Sequence, residues 1–395
     1  MLAVDRKRQS LEVGGKIGIL GGGQLGRMLA LAARQMGYRI FFLDPSPDAP
    51  CSSVADKKIV ANYNDIPAVL KLGSKCDVVT YEFENIDVQA VIALEEAGYQ
   101  VYPSSNVLKT TQHRILEKEF VCSIGIKTAP FYPIYTAIDL EKAAHQVGFP
   151  ALLKTVYGGY DGKGQVKIIN LEQAQQVFHS LNNRTLIWEK IINFTKELAI
   201  ICVRDQLGQT VTYPVTENVH VDNILDTTIV PARISSKVAS QATEIAKKIA
   251  LHLNIVGVFC VEMFLLENDE ILVNEIAPRP HNSGHYTIDA CMSSQFEQQL
   301  RAICGLPLGS PKMLTNSAVM VNILGDHKGD RFFGTTEILA NPNVCLHLYG
   351  KKKAKPKRKM GHFTVLSDDI KTALDIAEET RKKLSWLETK TKRSK

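Results

Sequence analysis

The segment VGVFCVEMFLLENDEILVNEIAPRP (256–280) carries two acids, Glu262 and Glu275, on apolar runs separated by the polar turn Glu267–Glu270. Folded as a hairpin centred between Asn268 and Asp269, it places Glu262 directly opposite Glu275, with both side chains on one face. Carboxylates so placed repel, and burial under the apolar run Val256–Leu266 raises the cost of both charges. A hard cation between them resolves both problems. Mg2+ is the fitting ion, because it takes one or two carboxylates and completes its shell with water and phosphate. One protonated carboxyl, or an arginine lying between the pair, is the alternative resolution. A register slip of one residue would send the acids to opposite faces.

Directly after the hairpin, APRPHNSGH crowds Arg279, His281, Asn282, Ser283 and His285 around a proline and a glycine. The planar fork of Arg279 matches a carboxylate or bicarbonate, which the imidazoles and the amide would orient. An ordinary capped loop is the other reading, and a zinc site suits the neighbouring carboxylates less than a harder ion does. Upstream, Lys154 ends a strand, and the loop YGGYDGKG (157–164) holds four glycines. A lysine fixed on a strand beneath a glycine-rich loop fits a polyphosphate clamp with a lid that excludes water, against the alternative of a flexible hairpin with a surface lysine. The spacing departs from GxxxxGK[ST] and the loop joins two strands, which disfavours a P-loop.

A second glycine turn, Gly21 to Gly26 (GGGQLG), fits GxGxxG, and Asp44 ends the next strand where a ribose-binding acid belongs in a dinucleotide fold. Read alone, it allows a nicotinamide-dependent oxidoreductase, another phosphate site at the helix N-terminus, or a purely structural turn. The segment Lys351–Lys359 (KKKAKPKRK) holds seven basic residues in nine. It suits an anion, a solvated loop or a nucleic-acid tract, the last weakened by the lack of interleaved aromatics.

These residues need elements to hold them. From Lys16, a strand KIGIL, the glycine turn, a helix Arg27–Met36 and a strand YRIFFLD form a βαβ unit, and the alternation through CDVVTYEF, a helix at 87–97 and QVYPS predicts a doubly wound parallel sheet over 16–104. One helix is expected at 106–122. Helix 137–147, strands ALLKTV and QVKII, a helix after Asn170 and strand TLIWEK predict a small α+β lobe. ELAIICVRD, TVTYPV, TTIVPAR, a helix at 236–253 and the hairpin predict a larger one. SAVMVNIL, CLHLY, HFTVL and a helix at 369–387 complete the chain. At 395 residues, two or three domains are expected, with clefts between them. The first fifteen residues read as a tail, without the apolar stretch of a secretory signal. Hydrophobic content of 45% with 22% charged residues and a net charge of +6 is that of a soluble protein without a membrane role. Eight scattered cysteines with no metal-ligand spacing read as reduced thiols in a cytoplasm.

GGGQLGRM, EFENI (82–86), KTVYGGYDGKGQ, WEKIINFTKELA, TENVH, NEIAPRPHNSGH and RKMGH, in this order, resemble the 5-(carboxyamino)imidazole ribonucleotide synthases of the ATP-grasp superfamily over nearly the whole chain after the tail. The resemblance implies an N-terminal doubly wound domain (16–110), a two-lobed ATP-grasp domain (111–310, small mobile lobe about 128–192) and a small β-rich C-terminal domain (311–395). It implies a cytoplasmic homodimer that binds neither nucleic acid nor membrane and uses ATP, Mg2+ and bicarbonate to carboxylate the amine of 5-aminoimidazole ribonucleotide, through carboxyphosphate, in purine synthesis. Position by position, Lys109 and Lys154 would contact ATP phosphates, Glu189, Lys190 and Ile192 the adenine, and Glu197 the ribose, with His220 and Asn274 lining that pocket. Glu262 and Glu275 would carry Mg2+; Arg279, His281 and Asn282 would bind bicarbonate. Gly23, Gln24, Glu84, Tyr160 and Lys163 would face the ribonucleotide, whose phosphate would meet Lys351, Arg358 and Lys359. Lys163 stands where arginine is frequent in that family, and Lys355 and Lys357 make the basic loop richer in lysine, which keeps charge but loses bidentate geometry.

Overall fold

The computed structural model describes residues 10–158, 164–182, 184–326, 329 and 331–387. At its N-terminal end, strands Lys16–Leu20, Arg39–Asp44, Lys57–Val60 and Val78–Tyr81 form a parallel sheet in the order third, second, first, fourth. Ile17, Ile19 and Leu20 are fully buried because helices cover both faces of such a sheet. The stretch QVYPS contributes only an isolated bridge, Val79 to Val101.

The helix expected at 106–122 is two helices, Ser105–Gln112 and Arg114–Ser123, broken at His113. His113 adopts an extended conformation (φ −110°, ψ 105°), and its Nδ1 accepts from Leu116 N, so the imidazole caps the second helix rather than continuing the first.

The small lobe is a four-stranded antiparallel sheet, Phe131–Ile134, Leu186–Lys190, Ala151–Thr155 and Gln165–Ile168 in spatial order. Helices Ala137–Gln146 and Leu171–Ser180 pack on it around buried Trp188, Phe178 and Leu140. The large lobe is built on Lys196–Arg204, flanked by Gly257–Leu265 on one side and Thr216–Val221 on the other. Helix Ser236–Leu253 lies against this sheet. Ser235 caps its start, Val238, Ala242, Ala246, Ile249, Ala250 and Leu253 bury one stripe, and left-handed Asn254 ends it.

The C-terminal strands do not stand apart. Ser317–Leu324 pairs antiparallel with Ile224–Val230, and Lys359–Ser367 and Val344–Leu348 follow, so one nine-stranded sheet runs through both regions. The last helix spans Ile370–Lys382, shorter than expected, because Ser385–Leu387 turns back as a strand against Arg331–Phe333.

Candidate active site

Glu262 and Glu275 are cross-strand partners, as the hairpin geometry predicts. The route to that register is less direct. Near the turn, Leu265 pairs with Ile271, Phe264 with Leu272 and Met263 with Val273; continued, this ladder would set Glu262 against Asn274. A bulge lets Asn274 out of the ladder and brings Glu275 opposite Glu262. On the other side, Glu262 pairs with Ala199, so Glu197, two residues earlier, shares the face. Burial, then the charge of Glu275 and a hydrogen bond with it, hold the Glu262 carboxyl well above its ordinary pKa. The oxygens of the pair form a hard donor set for a divalent cation.

Lys154 and Glu189 lie diagonally on one face of the small lobe, and Lys154 Nζ donates to Glu189 Oε2 at 2.8 Å. A second lysine, Lys118, lies 3.7 Å from Glu189 Oε1 and donates to Thr128 Oγ1 (3.0 Å) and Asn274 O (3.4 Å). Burial alone would raise the Glu189 carboxyl, but the two lysines outweigh it and pull it down to about 2. Arg114 approaches Glu275 Oε2 (3.7 Å) and donates to Gly158 O (3.3 Å), joining the acid pair to the base of the glycine loop. Sequence reasoning missed Arg114 and Lys118. Their signal was i,i+4 spacing on a helix that starts at the His113 cap.

Lys109 sits exposed on Ser105–Gln112, before the break, and makes no ion pair with this cluster among the described residues. Lys190 is exposed and Ile192 half-buried at the end of the small-lobe strand. Glu197 Oε2 is hydrogen-bonded to His220 Nδ1. Phe264, opposite Glu197, stacks on Phe194 with ring centroids 4.7 Å apart. Tyr160 and Lys163 lie outside the described residues.

Arg279 forms a bidentate pair with Glu84, Nε to Oε2 and Nη2 to Oε1 (3.0 Å). Burial would raise Glu84, yet the guanidinium outweighs it and holds the carboxyl below its ordinary range. One residue expected at bicarbonate and one expected at the ribonucleotide therefore meet at one point. Burial and then Arg279 keep His281 neutral, with a pKa well below the usual imidazole value. Ser283 N donates to His281 Nδ1 (3.3 Å), which leaves the proton on Nε2, 3.5 Å from Glu262 Oε1. That N–H is a donor suited to an anionic oxygen. Asn282 exchanges two amide hydrogen bonds with Asn322 (3.0 and 2.7 Å), which ties it to the C-terminal strand Ser317–Leu324.

The glycine turn is already filled by an acid of the chain itself. Glu82 accepts from Gly23 N and from Gly26 N (2.6 Å), the amides that a pyrophosphate would use. A Cβ at Gly21 or Gly23 would lie 2.4 and 2.6 Å from Glu82 atoms, so the glycines serve this approach. Asp44 accepts from Gly22 N, Ser46 N and Tyr63 Oη, and is no open ribose acid. The nicotinamide reading fails on both counts. Burial raises Glu82 to about 7 against the opposing Gly26 and Gly23 amides. Lys351 reaches this turn from the basic loop, donating to Gln24 Oε1 and Lys359 O. Burial, then Arg358, lower it to about 7. Arg358 donates to Lys353 O (3.1 Å), whereas Lys352 and Lys357 turn outward to Asp48 and Asp222.

Asp289, His347 and His362 bring ligand atoms within 4.8 Å of one another. Their imidazoles are stacked, with centroids 4.7 Å apart and planes 18° from parallel, so the in-plane lone pairs run side by side and do not converge on a metal. His347 instead pairs with Asp289 at 2.9 Å.

Comparison with known proteins fits this arrangement. The family model "Ribonucleotide synthetase preATP-grasp domain" matches residues 15–112, "ATP-grasp domain" 119–296, and "Phosphoribosylaminoimidazole carboxylase C-terminal domain" 318–375. The N5-carboxyaminoimidazole ribonucleotide synthase of Bacillus subtilis is 46% identical over 363 residues, covering 91% of this chain and 93% of its own. The crystal structure of N5-carboxyaminoimidazole synthetase from Staphylococcus aureus complexed with ADP superposes with a TM-score of 0.86 at 41% identity, covering 94% of this chain and 98% of that one. The enzyme from Aspergillus clavatus, solved with ADP and 5-aminoimidazole ribonucleotide, gives 0.85 at 35% identity, with coverage of 94% and 98%.

Proposed function

The chain belongs to the N5-carboxyaminoimidazole ribonucleotide synthase family, and from that premise we propose a division of labour among its site residues. It is an ATP-grasp ligase that carboxylates 5-aminoimidazole ribonucleotide at the expense of ATP in purine biosynthesis. The carboxyl source is bicarbonate. Its poor electrophilicity is overcome by transfer of the ATP γ-phosphoryl group to a bicarbonate oxygen: the bond to ADP breaks, and carboxyphosphate forms. The exocyclic amine then attacks the carboxyl carbon of carboxyphosphate and expels phosphate, or carboxyphosphate first splits into phosphate and carbon dioxide and the amine attacks the latter. In either case the nitrogen gives up one proton, which phosphate can take, as the carbamate forms.

The observation that carries this reading is the bulge-set pairing of Glu262 with Glu275 beside Arg114 and Arg279. The pair fits Mg2+, because two hard oxygen donors otherwise coexist only by retaining a proton. Glu262 and Glu275 would hold the ion, which would supply positive charge against the phosphates. Lys154, Lys118 and Arg114 form a cationic floor for the polyphosphate, with Arg114 taking the role that resemblance gave to Lys109. Glu189, Lys190 and Ile192 lead to the adenine, and Glu197, His220 and Asn274 line the ribose side. Arg279, His281 Nε2–H and Asn282 hold bicarbonate. Glu84, Gly23 and Gln24 face the ribonucleotide, and Lys351, Arg358 and Lys359 meet its phosphate. Carboxyphosphate must be kept from water; the glycine loop read as a lid lies, over 159–163, outside the described residues.

The enzyme works as a homodimer in the cytoplasm; no described helix is long and apolar enough to cross a membrane. Phosphate release measured with ATP, bicarbonate and 5-aminoimidazole ribonucleotide, omitting each in turn, tests the reading. Release that persists without bicarbonate would overturn the carboxyphosphate route.

A further inference from the structure

We infer that Gln295 is a positioning residue for bicarbonate activation, an inference that rests on the reading of Arg279, His281 and Asn282 given above. Gln295 opens the helix Gln295–Ile303 and is fully buried. Its carboxamide grips the loop at three points: Oε1 accepts from His281 N (2.9 Å), and Nε2 donates to His281 O (2.7 Å) and to His285 Nδ1 (3.1 Å). Holding both backbone groups of one residue imitates a β-ladder pair and removes the freedom of His281 to shift along the chain or rotate about it.

The rest of the loop is fitted to the same side chain. Gln295 N donates to Thr287 Oγ1 (2.9 Å), and Thr287 Oγ1 donates to Gly284 O (2.6 Å). A Cβ at Gly284 would lie 2.5 Å from Gln295 Oε1, so the glycine of HNSGH makes room for the clamp. Because both Nε2 protons are spent, His285 Nδ1 is an acceptor and its proton sits on Nε2. Arg279 and Asn282 flank the gripped residue on either side, so a displaced His281 backbone moves both.

One turn along, Gln299 Oε1 accepts from Val258 N (2.6 Å) at the start of the strand that carries Glu262, and its Nε2 donates to Thr80 Oγ1 (3.0 Å) in the N-terminal sheet. Phe296, Leu300 and Ile303 of the same helix pack into the N-terminal core with Ile17 and Met28. The helix is thus a rigid spacer. It fixes the anion-binding loop against the strand of the carboxylate pair and against the domain that bears Glu84. A glutamine side chain, with an acceptor and two donors in one plane, meets all three loop partners; a carboxylate or a thioether of similar size does not.

The test uses Gln295→Met, which keeps length and removes all three bonds, and Gln295→Glu, which keeps the acceptor for His281 N and loses both donors. The expected result for each is a kcat/KM for bicarbonate lowered about 10- to 100-fold, with KM for ATP within about twofold of the parent value. Unaltered bicarbonate kinetics in either folded variant, or KM values for ATP and bicarbonate rising by the same factor, would overturn the inference. Should Gln295→Met not fold, the bicarbonate kinetics of Gln295→Glu decide the question alone. A parent enzyme without bicarbonate-dependent turnover would instead refute the functional reading on which the clamp rests.

Discussion

Glu262 and Glu275 meet across a ladder whose register shifts by one residue immediately before they face each other, with Asn274 as the residue let out. Glu275→Gln and Glu262→Ala should each abolish phosphate release dependent on 5-aminoimidazole ribonucleotide, a loss of about 100-fold or more if both oxygens hold the ion that neutralises phosphate charge. Burial and Glu275 leave Glu262 holding a proton, so loading Mg2+ should expel that proton near neutral pH. Calorimetry in buffers of different ionisation enthalpy measures it, and Glu262→Gln should release none.

Arg279 gives Nε and Nη2 to Glu84 and Nη1 to Pro280 O, a planar arrangement that lysine cannot copy, so replacement by lysine should not rescue it. Arg279→Lys and Arg279→Ala should lose bicarbonate use by about 10-fold or more, because a point charge lacks the planar donors. Bicarbonate titration of initial rates decides it, and an unchanged dependence would remove Arg279 from the anion site.

Glu117 is buried beside Glu275 and accepts from Ile276 N (2.6 Å), and burial followed by the Glu275 charge raises its pKa to about 8. Its folded pKa therefore exceeds the ordinary 4.5. The folded state holds a proton that the unfolded chain has lost, so its contribution to stability is greatest below the unfolded value and is lost as pH rises through about 8. Glu117→Gln keeps the acceptor and cannot ionise. Thermal unfolding without nucleotide should show the variant gaining on the parent steadily from pH 5 to about 9; parallel curves would contradict the shift.

Lys118 neutralises Glu189 together with Lys154. Lys118→Met leaves a buried carboxylate with one partner, which should cost up to about 3–5 kcal/mol and raise KM for ATP. Adding Glu189→Gln should cost further stability, because Lys154 is then buried with no carboxylate beside it. Denaturant unfolding and ATP titration of the two variants separate the effects.

Legibility in the sequence followed the range of the interactions involved. The hairpin was readable from its two apolar runs and polar turn, but its acid pair came out right because the bulge offset a turn one residue out of the symmetric register. The helix 236–253 was readable because its stripe and its Ser235 cap are local. The bulge at Asn274 left no mark, since an unpaired residue within a ladder looks like any other strand residue. The GxGxxG turn misled for a physical reason: the glycines admit an anion, and nothing nearby in sequence says that Glu82, fifty-nine residues from Gly23, supplies it. His113 read as mid-helix because an imidazole cap is rarer than serine or aspartate. Arg114 and Lys118 stayed hidden behind that misreading. The Gln295 clamp and the Asn282–Asn322 exchange are side-chain agreements between distant segments, which no periodicity encodes.

The seam at Ser317–Leu324 has a consequence for anyone who would divide this protein. Its backbone completes the hydrogen bonding of Thr227–Val230 and passes the sheet onward to Lys359–Ser367. A fragment ending before residue 317 would bare a row of amides and carbonyls on an apolar strand, a template for sticking to its own copies. It would also strand Asn282 without Asn322. The terminal fifth is therefore no detachable accessory: a swap between related enzymes must be made through a surface loop on either side of the whole sheet.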